Sequence, residues 1–110
     1  MPYDAKLADR VRKELRSVDR VTEIKMFGGL CFTIAGNMCC GVLNDDLVIR
    51  LDHETAAQAL GEPHVRPMDF TRRPSRGVVY DAPGGYRTPA ALRRWVKRSV
   101  AFASSLPPKK

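Results

Sequence analysis

An α+β fold built on an antiparallel sheet is what this sequence predicts, and three observations predict it. An apolar stripe at four-residue spacing opens the chain, short β-rich runs separated by tight turns fill its middle, and a long amphipathic stretch closes it. The connections within the middle are too short for crossovers, so the strands pair antiparallel. With 110 residues there is room for one domain, 1–110, around one core.

The elements follow in order. Asp4 is a good N-cap, and Leu7, Val11 and Leu15 share one stripe, which predicts a first helix over 4–17. Residues 21–26 are rich in β-formers and predict the first strand, with Gly28-Gly29 as its turn. Residues 30–35 predict the second strand. Gly36-Asn37, with glycine first, predicts a type II′ hairpin turn into a third strand over 38–43. Asn44-Asp45-Asp46 turns the chain into a fourth strand over 47–51. Asp52 caps an alanine-rich helix over 53–60, with Gly61 at C′ and Pro63 beyond. Residues 65–70 predict a fifth strand, and Pro67 places it at an edge. Residues 77–80 predict the sixth strand, and Pro83-Gly84-Gly85 a loop. Thr88-Pro89 starts the last helix, whose Leu92, Trp95, Val96, Ser99, Phe102, Ala103 and Leu106 share one side before Pro107-Pro108 ends it. The order is α-β-β-β-β-α-β-β-α: about six strands packed by three helices.

Apolar residues make up 44% and charged residues 28%, a globular rather than disordered balance. No apolar run approaches the ~18 residues of a membrane span, and the N-terminus lacks an apolar leader, so a cytoplasmic protein is expected. The net charge of +7 is unevenly placed: residues 1–20 carry +2, residues 21–62 carry −4 and residues 63–110 carry +9. Two groups dominate that excess. Arg72, Arg73 and Arg76 lie in a loop, and Arg93, Arg94, Lys97 and Arg98 line the polar side of the last helix. Together they form a candidate patch for a partner or for nucleic-acid phosphates; the alternative is that they solvate exposed helix sides. No helix-turn-helix, zinc finger or aromatic stacking motif accompanies them.

Catalytic chemistry has little support. Cys31, Cys39 and Cys40 include no C-x-x-C pair, and buried, reduced thiols fit them better than a redox sensor or a metal site. The type II′ register would place Cys31 and Cys40 on one sheet face as diagonal neighbours, about 7–8 Å apart at Cα. That exceeds the ~6.8 Å reach of a disulfide. His53 and His64 stand eleven residues apart without partners. Gly28-Gly29 lacks the lysine and the following helix of a phosphate loop, and Asp45-Asp46 lacks the alternating ligands of a calcium loop. The expectation is a protein that is not an enzyme and holds no cofactor or metal.

Four runs in register carry a resemblance. Lys25-Met26-Phe27-Gly28-Gly29-Leu30 opens it, followed by Gly36-Asn37-Met38 with Cys40-Gly41-Val42. Arg66-Pro67-Met68-Asp69-Phe70-Thr71 with Arg73-Pro74 comes next, and the closing helix through Ala101-Phe102-Ala103-Ser104-Ser105-Leu106-Pro107-Pro108 completes it. This pattern resembles the TfoX/Sxy N-terminal domain family over nearly the whole chain, without the second domain of its two-domain members. Cys31 and Cys39 stand where many relatives carry alanine, and Ser75 where methionine is usual. The resemblance implies a secretion-chaperone-like α+β fold and no catalytic residues. It also implies kinship with bacterial regulators of natural competence that act with the transcription machinery. The expected function is a small non-enzymatic regulatory module that binds a protein partner, transcription-related or a second copy of itself. The alternative is direct, sequence-independent nucleic-acid binding through the basic patch. No membrane partner is expected.

Overall fold

The computed structural model describes residues 3–26, 28–67 and 77–108. Helix α1 (Ala5–Glu14) starts where Asp4 accepts hydrogen bonds from the amides of Lys6 and Leu7, at 2.9 and 3.2 Å. It ends three residues earlier than the stripe suggests, because after the cap at Leu15 the chain closes turns instead of helix. Strands β1 (Val21–Met26), β2 (Gly29–Ile34), β3 (Asn37–Leu43) and β4 (Asp46–Arg50) form the expected meander. Helix α2 (His53–Ala59) follows, capped by Asp52 on the Thr55 amide at 2.7 Å. Strands β5 (Val65–Pro67) and β6 (Val78–Asp81), a short helix α3 (Pro83–Tyr86) and the long helix α4 (Pro89–Ser105) complete the chain. The sheet order is β1-β2-β3-β4-β6-β5, antiparallel throughout. The predicted α+β class and sheet are therefore present, and β5 with its proline does occupy an edge. The expected continuation of β5 over 68–70 lies outside the described residues.

The helices cover one face of the sheet. Leu30, Phe32, Ile34, Cys40, Val42, Leu47, Ile49 and Val79 point to that face and pack with Leu7, Val11, Leu92, Trp95 and Val96. Each large side chain buried here contributes roughly 1.5–3 kcal/mol of transfer free energy, so this layer dominates stability. On the other face Val48, Val78 and Tyr80 form a smaller cluster with Met38 and Leu43 packed against it.

Three local expectations are corrected. The β2–β3 turn is Ala35-Gly36, both left-handed (φ 51° and 84°), which is a type I′ turn rather than type II′ at Gly36-Asn37. Asn37 instead pairs with Ile34 inside the ladder, and its side-chain amide donates to the Pro107 carbonyl at 2.9 Å. The second correction concerns the cysteines. The register shifts between Phe32 and Thr33, so that Thr33 opposes Met38 and Phe32 opposes Cys40, leaving Cys39 as the extra residue of a bulge. Cys39 and Cys40 both face the helices, whereas Cys31 opposes Gly41 on the other face. Cys31 and Cys40 therefore do not share a face. All three thiols are free and buried, as their reading as small hydrophobes anticipates. Third, the loop expected at Pro83-Gly84-Gly85 is the helical turn α3. Pro83 starts it, and buried Tyr86 ends it with its hydroxyl donating to the Asp45 carbonyl. Gly85 is required there by close approach: a Cβ would lie 1.7 Å from an Asp81 carboxylate oxygen. Gly61 does stand at C′, next after the cap residue Leu60, while the left-handed residue of this link is His64 (φ 71°).

Candidate functional site

Helix α4 carries the one part of the basic patch within the described residues, since Arg72, Arg73 and Arg76 lie outside them. Its start is fixed by Thr88, whose hydroxyl accepts from the Ala91 amide at 3.1 Å, with Pro89 supplying a preset φ. Its buried side inserts Leu92, Trp95, Val96, Ser99 and Ala103 into the core. Phe102 and Leu106 are only half-buried. The opposite side therefore presents Arg93, Arg94, Lys97 and Arg98 outward, as the spacing predicts.

Most of that cationic row is engaged within the molecule. Arg93 Nε donates to Glu14 Oε1 at 3.2 Å, tying α4 to the end of α1. Arg94 and Arg98 grip the two oxygens of Glu62, at 2.7 and 3.2 Å, tying α4 to the link between α2 and β5. Their guanidinium carbons also lie 5.2 and 5.0 Å from the Trp95 ring centroid, so the indole is flanked by two cations. Only Lys97 of the four has no ion-pair partner among the described residues. Arg93 and Arg94 nevertheless keep more than half of their side-chain surface exposed, 57% and 56%.

Beneath this surface lies a group that the sequence did not single out. Asp81, at the end of β6, is fully buried, and neither carboxylate oxygen has a hydrogen-bond partner among the described residues. Burial, reinforced by the negative charge of Glu62, pushes its pKa up to about 7, with Arg94 pulling the other way. The Trp95 indole N–H is likewise buried without a partner. Nothing in the sequence around Asp81 distinguishes it from an exposed strand-end carboxylate; its environment comes from Gly85 and from helix packing.

The family-signature residues scatter. Lys25 lies exposed on β1 and Met26 ends that strand, while Gly28 (φ 78°) turns the chain and Gly29 begins β2. Arg66 forms a two-point ion pair with buried Asp46, at 3.1 and 2.5 Å, and its guanidinium lies 4.8 Å from the Tyr80 ring centroid. Pro67 ends β5. Phe27, Met68, Asp69 and Phe70 lie outside the described residues. Among the described residues the signature supports strand ends and turns and does not converge on a pocket.

The thiols make a local pair. Cys39 Sγ lies 3.3 Å from Ser99 Oγ, which in turn donates to the Val96 carbonyl. Contact with Cys39 and burial push the Cys40 thiol well up. His53 and His64 are both exposed, at the start of α2 and before β5. Among the described residues no cluster of His, Cys, Asp and Glu has the makings of a metal site, and no helix is long and apolar enough to cross a membrane.

Comparison with known proteins gives one result. The family model for the TfoX N-terminal domain matches residues 13–103. No curated protein and no solved structure matches the chain. The matched span contains every strand, α2, α3 and nearly all of α4. The chain belongs to the TfoX N-terminal domain family.

Proposed function

We propose that this protein is a small non-enzymatic regulatory module, related to competence regulators, that acts by binding a protein partner. The observation that carries this reading is the engagement of the α4 cations. Arg93, Arg94 and Arg98 brace the fold against Glu14 and Glu62, so the row is not a bare track for phosphates. A surface of mixed, already paired charge suits a protein interface, where potentials are matched locally. The absence of any convergent catalytic motif in the sequence points the same way.

The competing reading is sequence-independent nucleic-acid binding, favoured by the +9 charge of residues 63–110 and by the exposure of Arg93 and Arg94. Fluorescence anisotropy with labelled duplex DNA and RNA separates the two. A protein-binding module shows no saturable binding at about 50 mM salt. Binding that falls steeply with salt and is lost in Lys97→Glu with Arg93→Glu would overturn the protein-interaction reading.

A further inference from the structure

We propose that a second copy of this chain pairs with the free edge of β1, in one register defined by Glu23 and Lys25. This goes beyond the partner-binding reading above and does not depend on it.

Among the described residues strand β1 ends the sheet, and Thr22, Glu23, Ile24 and Lys25 are all exposed. Ile24, at 42% exposure, is one of two large hydrophobic residues that stand out in solvent among those described. The ladder shows which backbone groups are unsatisfied. The Ala35 amide donates to the Arg20 carbonyl at 3.0 Å, and β1 pairs with β2 in the same register, Val21 with Ile34 through Met26 with Gly29. In an antiparallel ladder hydrogen-bonded positions alternate, so residues 20, 22, 24 and 26 face β2. The N–H and C=O groups of Val21, Glu23 and Lys25 consequently point outward.

An antiparallel twofold pairing of β1 with itself has few registers that match outward groups to outward groups. Centring the axis on Glu23 would oppose two glutamates, and centring it on Lys25 would oppose two lysines. Like charges directly opposite are destabilising. Centring it on Ile24 opposes Glu23 to Lys25 of the second copy, and Lys25 to Glu23, with each pair exchanging two main-chain hydrogen bonds. The same register brings the two Ile24 side chains together as a non-hydrogen-bonded pair, the closest side-chain approach in a sheet. These lie on the face away from the helices, because Ile24 opposes Cys31. On the helix face, Glu23 is held by Arg12 through a two-point contact of 2.8–3.0 Å. Its carboxylate is thus oriented before any second chain arrives.

A single strand pair buries less than the ~1,600 Å² of a standard interface. The expected species is therefore a weak dimer that forms with rising concentration. Sedimentation velocity on the full chain reads it. Lys25→Glu and Glu23→Lys should each weaken self-association about tenfold or more. An equimolar mixture of these two variants should recover it, because each unlike pairing is again Glu opposite Lys. Ile24→Cys should form an intermolecular disulfide under mild oxidation, since the twofold-related positions stand ~4.5 Å apart at Cα. Lys25→Cys should not, because its copies would be diagonal, ~7–8 Å apart. Circular dichroism confirms that each variant is folded. A chain that sediments as a monomer at millimolar concentration would overturn the proposal. So would failure of the mixed variants to associate, or equal cross-linking of Ile24→Cys and Lys25→Cys.

Discussion

The two edges of this sheet are built in opposite ways. Strand β5 carries Pro67 and clamps Arg66 onto buried Asp46 and over the Tyr80 ring. Strand β1 has six residues, no proline and four consecutive exposed positions. Proline is a standard means of preventing edge pairing, and β1 has none. The flank behind β5 is also the one bolted down by Glu62, Arg94, Arg98 and Trp95. One side of the molecule is locked for stability, and the other is left available. The charge excess read from composition and the exposed strand edge are thus separate properties of this chain.

The locked flank depends most heavily on Trp95. Trp95→Ala removes the largest side chain buried on the locked flank, and a loss of about 3–5 kcal/mol in urea unfolding is expected. A loss below ~1 kcal/mol would mean that the flank does not depend on the indole.

Next in size is Asp81. Its folded pKa of about 7 lies above the ordinary aspartate value of 3.8, so the folded state binds more protons between those limits. Stability from this group is complete below pH ~4, declines as pH rises to ~7 and is level above. The full span is on the order of 2–4 kcal/mol. Asp81→Asn should abolish that decline in a series of denaturant midpoints, leaving a profile with a smaller slope between pH 4 and 7. An unchanged slope would show that Asp81 is ionised in the folded state at no cost.

The smallest effects sharpen the contrast between edges. Asp46→Ala releases Arg66 from the β5 edge and should cost about 1–2 kcal/mol, read by thermal melting. Ile24→Thr, on the β1 edge, should change monomer stability by less than about 0.5 kcal/mol. A larger cost at Ile24 than at Asp46 would reverse the assignment of the two edges.

Much of the architecture is legible from local pattern. Caps at Asp4, Asp52 and Thr88 mark the helix starts, and β-rich runs between turn residues place β1 through β4 within a residue of their observed ends. What escaped has physical causes. The hairpin turn is displaced by one residue because Ala35 adopts a left-handed conformation that glycine would be expected to take. The bulge at Cys39 has no local signal, because two adjacent cysteines fit either regular or bulged pairing. The cationic row of α4 was readable as a stripe. Its partners were not: Glu62 lies 32 and 36 residues away and Glu14 lies 79 residues away. The outward hydrogen-bonding parity of β1 likewise depends on the ladder to β2, which only the fold supplies.

The bulge in β3 has a consequence for chain length. On the turn side, Asn37 faces the helices and Met38 the opposite side. Beyond Cys39, Cys40 faces the helices, Gly41 the opposite side and Val42 the helices again. Striking Cys39 out would leave an unbroken alternation, with every neighbour still on its own face. Most one-residue deletions within a strand invert the sides of all that follows. Here the strand holds one spare position, and it is the position whose thiol meets Ser99 on α4. A deletion at Cys39 should therefore leave the meander in frame and remove only that contact with the helix.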